Sequence, residues 1–285
     1  MIPEFLSTDQ LRAFISSALA EDIGSGDHST MSTIPADQTG TAKLLVKSEG
    51  ILAGVELAGI IFSQFDTRLQ HKTFLKDGDR IKKGDIAFEV SGPVRSILTT
   101  ERLVLNSMQR MSGIATRTSR FVELLQGTKT LLLDTRKTTP NFRAFEKWAV
   151  VIGGGMNHRF SLGDLIMLKD NHIDACGGIL PAISAARNYC SALGLSLQIE
   201  VETRNLNEVQ EAIAGQPDII MLDNMSVSDM KVAVQMIAGR CQTEASGGIT
   251  EATIREVAET GIDFISVGSL THSVESLDLS LKIQK

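Results

Sequence analysis

Cysteine is scarce in this 285-residue chain: three residues, Cys176, Cys190 and Cys241, far apart and odd in number. No CxxC pair exists, so a disulfide framework, a thiolate metal knot and a dithiol redox centre are all excluded as organising features. The three read as reduced packing thiols. Long apolar runs are also missing. Nothing approaches the ~20 consecutive residues a membrane helix needs, and mean hydropathy is +0.06. The first residues, Met1-Ile2-Pro3-Glu4-Phe5, lack a basic stretch followed by an apolar core. No signal peptide is therefore expected, and the expected location is the cytoplasm. Excess positive charge is absent too. Net charge is −6 and the isoelectric point about 5.5, which argues against a nucleic-acid partner.

What the chain does have is an ordinary globular composition, 42% hydrophobic and 22% charged, and a local concentration of cations. Arg136, Lys137, Arg143, Lys147, Arg159 and Lys169 fall in one stretch with few acids. In an acidic protein such a stretch suits a small anionic ligand, although a solvated face is the commoner explanation of a charge run alone.

Two rhythms divide the chain. Ser7 or Thr8 can cap a first helix carrying Leu11, Phe14, Ile15, Ala18 and Leu19 at helical spacing. A polar turn is expected from Glu21 to His28. Short strands follow at Ala42–Lys47, Thr73–Leu75 and Ile86–Val90, separated by Gly-Asp turns. A long helix is expected to start at Thr99 or Thr100, with Val104, Met108, Met111 and Ala115 on its core face. Beyond Lys129, strands at Thr130–Leu133, Leu165–Leu168, Leu197–Val201, Asp218–Leu222, Thr243–Ala245 and Asp263–Val267 alternate with helices. Among those helices are Asn205–Ala214, Ser226–Ala238 and Glu251–Glu259. Such alternation implies a parallel sheet, barrel or doubly wound, and the strands read as nearly continuous apolar runs covered on both faces.

The chemistry lies after the strands. Asp134-Thr135-Arg136-Lys137 follows the first, Lys169-Asp170-Asn171-His172 the second, and Glu200-Val201-Glu202 ends the third. Asp223-Asn224, Ser246-Gly247-Gly248 and Gly268-Ser269 end the rest. Steps of 21, 23 and 22 residues separate Glu202, Asp223, Ser246 and Gly268, about one βα unit each. In parallel α/β barrels the C-terminal strand ends share one pocket. Glu202 and Asp223 suit a hard cation such as Mg²⁺, or else cap helices or pair with Arg204. The two glycine turns suit phosphate, backbone N–H groups approaching it closely. Arg136, Lys137, Arg159 and Lys169 add cations able to hold carboxylates or phosphates. His158 and His172 flank them. Gly153-Gly154-Gly155 reads as a flexible loop or a lid hinge.

The same residues resemble the quinolinate phosphoribosyltransferases. The resemblance runs from Glu21-Asp22-Ile23-Gly24-Ser25-Gly26-Asp27 through Glu101-Arg102-Leu103, Ser112-Gly113-Ile114-Ala115-Thr116 and Asp134-Thr135-Arg136-Lys137-Thr138. It continues with Gly153 to Arg159, Leu168 to His172, Glu200-Val201-Glu202 and Leu222-Asp223-Asn224. Glu244 to Ile249 and Val267 to Ser273 complete it. It implies an N-terminal α/β sandwich (residues 1–115) and an incomplete, open parallel α/β barrel (residues 116–285), with the C-terminal tail free to pack back on the first domain.

The resemblance also implies a pentosyl transfer of NAD biosynthesis. Quinolinate and phosphoribosyl pyrophosphate would give nicotinate mononucleotide, pyrophosphate and CO₂, with Mg²⁺ and no redox cofactor. It implies a homodimer, able to assemble to a hexamer, in which Arg102 reaches the partner's site. Arg102, Arg136, His158, Arg159 and Lys169 would bind quinolinate. Lys137 and Lys169 would face the phosphoribosyl substrate, and Glu202 and Asp223 would hold Mg²⁺-pyrophosphate and the ribose. Ser246, Gly247, Gly248, Gly268 and Ser269 would hold the 5-phosphate. Lys137, Lys169, Glu202 and Asp223 would be the catalytic set. Thr203-Arg204 departs from the usual pattern and leaves Glu200 a rival of Glu202 for the metal side. A Schiff-base barrel using Lys169 or Lys137, a relative with a changed nucleobase, and a non-catalytic sensor stay open as alternatives.

Overall fold

The computed structural model describes residues 2–284. It forms two compact units. The first comprises the chain up to Ser119, Thr138–Gly154 and the stretch from Leu270 onward, and the second comprises Arg120–Lys137 and Gly155–Ser269.

The first unit begins with α1 (Thr8–Ile23) and α2 (His28–Thr33). Ser7 caps α1 in a reciprocal capping box with Gln10, satisfying two backbone donors. The polar turn expected at Glu21–His28 is shorter than that. Glu21–Ile23 belong to α1, and Asp27 caps α2 by accepting from the Thr30 N–H at 3.0 Å. Next come β1 (Thr39–Val46), β2 (Gly50–Ile51), α3 (Val55–Phe65), β3 (Gln70–Thr73), β4 (Arg80–Ile81) and β5 (Ile86–Pro93). β12 (Leu279–Ile283), from the end of the chain, pairs antiparallel with β1, and the four-stranded order is β12-β1-β5-β3. Ala42, Leu44 and Val46 alternate inward and are buried. Leu44 lies opposite Phe88 on one side and Leu281 on the other. Phe62 of α3 meets Phe88 edge-on at 5.9 Å. Each such buried side chain contributes about 1.5–3 kcal/mol.

The long helix α4 (Val94–Leu124) starts earlier than Thr99. Pro93 ends β5 and the chain turns directly into the helix, the Val94 N–H bonding to Gln38 O at 2.9 Å. Thr99 instead donates to Asp27 Oδ2 at 2.9 Å. Val104, Met108, Met111 and Ala115 are fully buried, as the spacing predicts. The Ser112 hydroxyl accepts from the Ala53 N–H at 2.9 Å, and Thr116 accepts from the Ile51 N–H at 2.8 Å. These hydroxyls satisfy backbone donors at the end of β2 and two residues beyond it. In α5 (Arg143–Ile152) Glu146 is wholly buried, held by Arg110 at 2.8 Å and by Thr139 at 2.9 Å. The triple glycine has a packing cause at its first member. A Cβ on Gly153 would lie 2.5 Å from Ala115 O, so the close approach requires glycine.

The second unit holds six parallel strands: β6 (Leu131–Leu133), β7 (Ile166–Leu168), β8 (Ile199–Thr203), β9 (Ile219–Asp223), β10 (Gln242–Ser246) and β11 (Phe264–Ser266). Their order is β6-β11-β10-β9-β8-β7. β6 and β7 are the two edges, so the barrel is open. The helices α6 (Asp170–Cys176), α7 (Ile179–Leu193), α8 (Leu206–Gly215), α9 (Val227–Ile237), α10 (Ile254–Ala258) and α11 (Ser269–His272) follow their strands.

Register gives the sheet two unlike faces. Met167 pairs with Glu200, Glu202 with Met221, Glu244 with Met221, and Ser246 with Asp223. Side chains alternate with period two. One face therefore carries Glu200, Glu202, Asp223, Glu244, Ser246 and Ser266. The other carries Leu168, Val201, Ile220, Leu222, Ala245, Ile265 and Leu132, all buried, with α7 and α8 packing on β8. The expectation of nearly continuous apolar strands thus fails for β8 and β10, whose sequences, IEVET and QTEAS, alternate. Their polar positions form the chemical face.

Candidate active site

Because the six strands run parallel and in register, their C-terminal ends lie along one edge of one sheet. Asp134 to Lys137 follow β6, Lys169 follows β7, and Glu202 lies one residue before the end of β8. Asp223 and Ser246 end β9 and β10, and Gly268-Ser269 follow β11. This gathers the second-unit candidates that follow strands, whereas His158 and Arg159 lie between an isolated bridge at Met156 and β7. Arg102 is different: it lies on α4 in the first unit, exposed. The basic run also divides. Arg143 and Lys147 belong to α5 of the first unit, Arg143 donating to Thr138 at 2.9 Å and Lys147 fully buried. A charge run in sequence is not a charged face in space.

Lys169 Nζ lies 2.5 Å from Glu202 Oε1, an ion pair between adjacent strand ends. Arg204, the alternative partner for that acid, is engaged elsewhere, by Glu208 at 2.8 Å and Asp174 at 3.1 Å. Glu200 stands two residues earlier on β8, fully buried. His172 accepts from the Lys169 N–H at 3.0 Å and so caps α6.

Asp223 Oδ2 accepts from Asn224 Nδ2 at 3.0 Å. Asn224 has φ +53° and donates its own N–H to Ser246 O at 2.9 Å. Its carboxamide lies so close to Gly247 that a Cβ there would meet Oδ1 at 2.2 Å. Gly248, at φ +62°, opens onto empty space. The helix expected from Glu251 begins only at Ile254 and has five residues, because Thr253 Oγ1 accepts from the Thr250 N–H at 3.0 Å and closes a turn first. Gly268 leads straight into α11.

On the cationic side, Arg159 Nη1 donates to Leu165 O at 3.1 Å. Burial, and then the nearby Arg136 charge, pull Arg159 below the usual guanidinium range. The two arginines thus sense each other, an arrangement that a polyanion would relieve. Asp134, fully buried, accepts from the His158 N–H at 2.9 Å. His158 Nε2 lies 2.9 Å from Glu200 Oε2 and 3.4 Å from Glu244 Oε2. Burial pulls His158 down, but these carboxylates outweigh it and push it up to about 10. Glu200 is itself raised, first by burial. The Arg159 N–H pointing at Nδ1, 2.8 Å away, opposes a second ring proton. The carboxylates favour the imidazolium and the Nδ1 contact favours the neutral ring; in either form the Nε2 proton faces the two acids. Sequence reasoning missed Glu244. The inward position two residues before Ser246 was the available signal.

Residues 27–112 match the family model described as the N-terminal domain of quinolinate phosphoribosyl transferase, and residues 114–282 match its C-terminal domain. A chloroplastic nicotinate-nucleotide pyrophosphorylase (carboxylating) of Arabidopsis thaliana is 46% identical, over 97% of this chain and 83% of that protein. A probable nicotinate-nucleotide pyrophosphorylase (carboxylating) of Bacillus subtilis is 44% identical, over 96% of this chain and 93% of its own length. The crystal structure of NadC from Streptococcus pyogenes superposes with a TM-score of 0.92 at 44% identity, covering 98% of this chain and 99% of that one. With both domain models matched in order over nearly its whole length, the chain belongs to the quinolinate phosphoribosyl transferase family.

Proposed function

We infer that the chain transfers a phosphoribosyl group from phosphoribosyl pyrophosphate to quinolinate, with decarboxylation, forming nicotinate mononucleotide, pyrophosphate and CO₂ in NAD biosynthesis. One observation supports this reading: Arg136, two lysines, paired acids and glycine turns stand at the C-terminal strand ends of one parallel sheet in a chain of this family.

The residues divide the work. Arg136 and Arg159 form a fork for the two carboxylates of the ring substrate. Lys137 and Lys169 neutralise the pyrophosphate as it departs. The turns at Ser246-Gly247-Gly248 and Gly268-Ser269 present backbone N–H groups to the 5-phosphate. Glu202 and Asp223 offer hard oxygen donors at neighbouring strand ends, and these fit Mg²⁺. When bound, Mg²⁺ would offset charge on the leaving pyrophosphate. The ring nitrogen's lone pair forms the bond to the anomeric carbon as the C–O bond to pyrophosphate breaks. Carboxylates nearby stabilise the cationic sugar carbon. The alkylated, cationic ring then accepts the electron pair of the breaking C–C bond as CO₂ leaves, and a proton takes its place. Holding both substrates in line supplies several of the ~7–11 kcal/mol that positioning can provide.

Arg102 completes the quinolinate fork in this reading, contributed by the partner of a homodimer that can assemble further. Location in the cytoplasm belongs to the same reading. No helix among the described residues is long and apolar enough to cross a membrane. The test is incubation with quinolinate, phosphoribosyl pyrophosphate and Mg²⁺, following nicotinate mononucleotide and CO₂. Arg136→Ala should lower kcat/KM for quinolinate by at least ~100-fold, about 2.7 kcal/mol, with an unchanged melting curve. Parent-like kinetics would remove Arg136 from the site.

A further inference from the structure

The buried cluster of His158, Glu200 and Glu244 is too costly to be a stabilising device. Both carboxylates are wholly inaccessible, and their oxygens meet His158 Nε2 only as ion-pair contacts, with no aligned hydrogen bond among the described residues. Burying charge with so few partners is strongly unfavourable. What it provides is placement, since both acids project from sheet strands, β8 and β10, onto one ring nitrogen.

His158 is held from every side. Its Nε2 faces Glu200 at 2.9 Å and Glu244 at 3.4 Å, and its peptide N–H donates to Asp134 at 2.9 Å. Its Nδ1 accepts the N–H of Arg159 at 2.8 Å. Both ring nitrogens are thus used inside the protein, one of them to fix the peptide of the next residue. That residue carries a guanidinium anchored to Leu165 O. The three side chains also have the composition of a metal site, their ligand atoms lying within 4.8 Å of one another. The tautomer argues otherwise. A ligating imidazole donates its remaining N–H, whereas Nδ1 here is an acceptor, so Nε2 carries the proton.

We propose that Glu200 and Glu244 are positioning residues: they clamp His158, and through it fix the aim of Arg159 on a carboxylate of the aromatic substrate. This rests on Arg159 being a substrate carboxylate ligand. In this arrangement His158 acts through its neighbour, whatever direct contact it makes.

Glu244→Gln replaces one acid with an isosteric amide, and Arg159→Lys tests the ligand itself. Steady-state kinetics on the intact 285-residue chain should show the quinolinate KM rising about tenfold or more in both variants, the cost of a misplaced positioning group. The phosphoribosyl pyrophosphate KM should stay within about twofold. Glu200→Asp, which keeps the charge but draws it back from the ring, serves as a second variant if Glu244→Gln does not fold. It should shift the same constant. If Arg159→Lys raises the quinolinate KM and neither acid variant does, the clamp is overturned and the role of Arg159 stands. If Arg159→Lys changes nothing, the substrate reading of Arg159 fails and the clamp with it. A parallel rise in both KM values marks general distortion and overturns the proposal.

Discussion

At Gly247 the backbone and a neighbouring side chain make the same demand. Its φ is +94°, where L-residues with a Cβ are strained, and that Cβ would fall 2.2 Å from Asn224 Oδ1. Gly247→Ala should therefore cost ~1–3 kcal/mol from conformation alone, with the steric conflict added. Urea denaturation would measure it as a lowered midpoint. Adding Asn224→Gly, which tolerates the φ of +53° at that position, should recover the steric part and leave the conformational part, so the double variant should sit between Gly247→Ala and the parent. At this scale the sequence was legible where residue type and chemistry coincide: Lys169, Glu202, Asp223 and the glycines all stand at strand ends. It was not legible for Glu244, an acid inside a short strand whose importance depends on which face it takes. It also misled for Lys147, which is buried in α5, because a run of cations in sequence says nothing about the unit each joins.

Among the elements, α4 shows how tertiary contacts override propensity. Gly113 lies in the interior of this 31-residue helix. Alanine there should gain ~1 kcal/mol by propensity. Yet its Cβ would meet the Glu275 carbonyl oxygen at 2.3 Å, a backbone atom with little room to yield. Overpacking of that kind costs ~1–3 kcal/mol or more. Gly113→Ala is thus expected to lower the melting temperature in calorimetry; a rise would show that propensity prevails. The buried methionine face of α4 was readable from its spacing, but its start was not. A threonine is a good cap on paper, and Thr99 uses its hydroxyl on Asp27 instead. Likewise α1 and its Ser7 cap follow from local chemistry. Its end is local too, for Gly24 at φ +53° donates its N–H to Ala20 O at 3.1 Å and stops the helix.

For the whole molecule, the notable fact is that the chain leaves the first unit and returns to it. Its last strand, β12, lies at the edge of the first unit's sheet, with Leu279 and Leu281 buried. Deleting residues 279–285 should remove ~3–6 kcal/mol of apolar burial and leave β1 with an unpaired edge. The expected result is faster proteolysis of the first unit and reduced solubility, read by limited trypsin digestion. A truncated chain as resistant as the parent would show that β12 contributes little.

Periodicity and punctuation were enough, by themselves, to determine the strand–helix alternation beyond Lys129, the parallel sheet and the positions of reactive residues at strand ends, because each depends on spacing along the chain; α2, β3 (Gln70–Thr73, against Thr73–Leu75 expected) and α5 were not read that way. The tertiary structure alone decided which face each polar strand residue takes, that β8 and β10 turn their acids toward His158, and the register in which β12 pairs with β1. Pairing register and long-range contact settle those points. Neither is written in any window of sequence, since a shift of one residue reverses the face while leaving the local pattern intact.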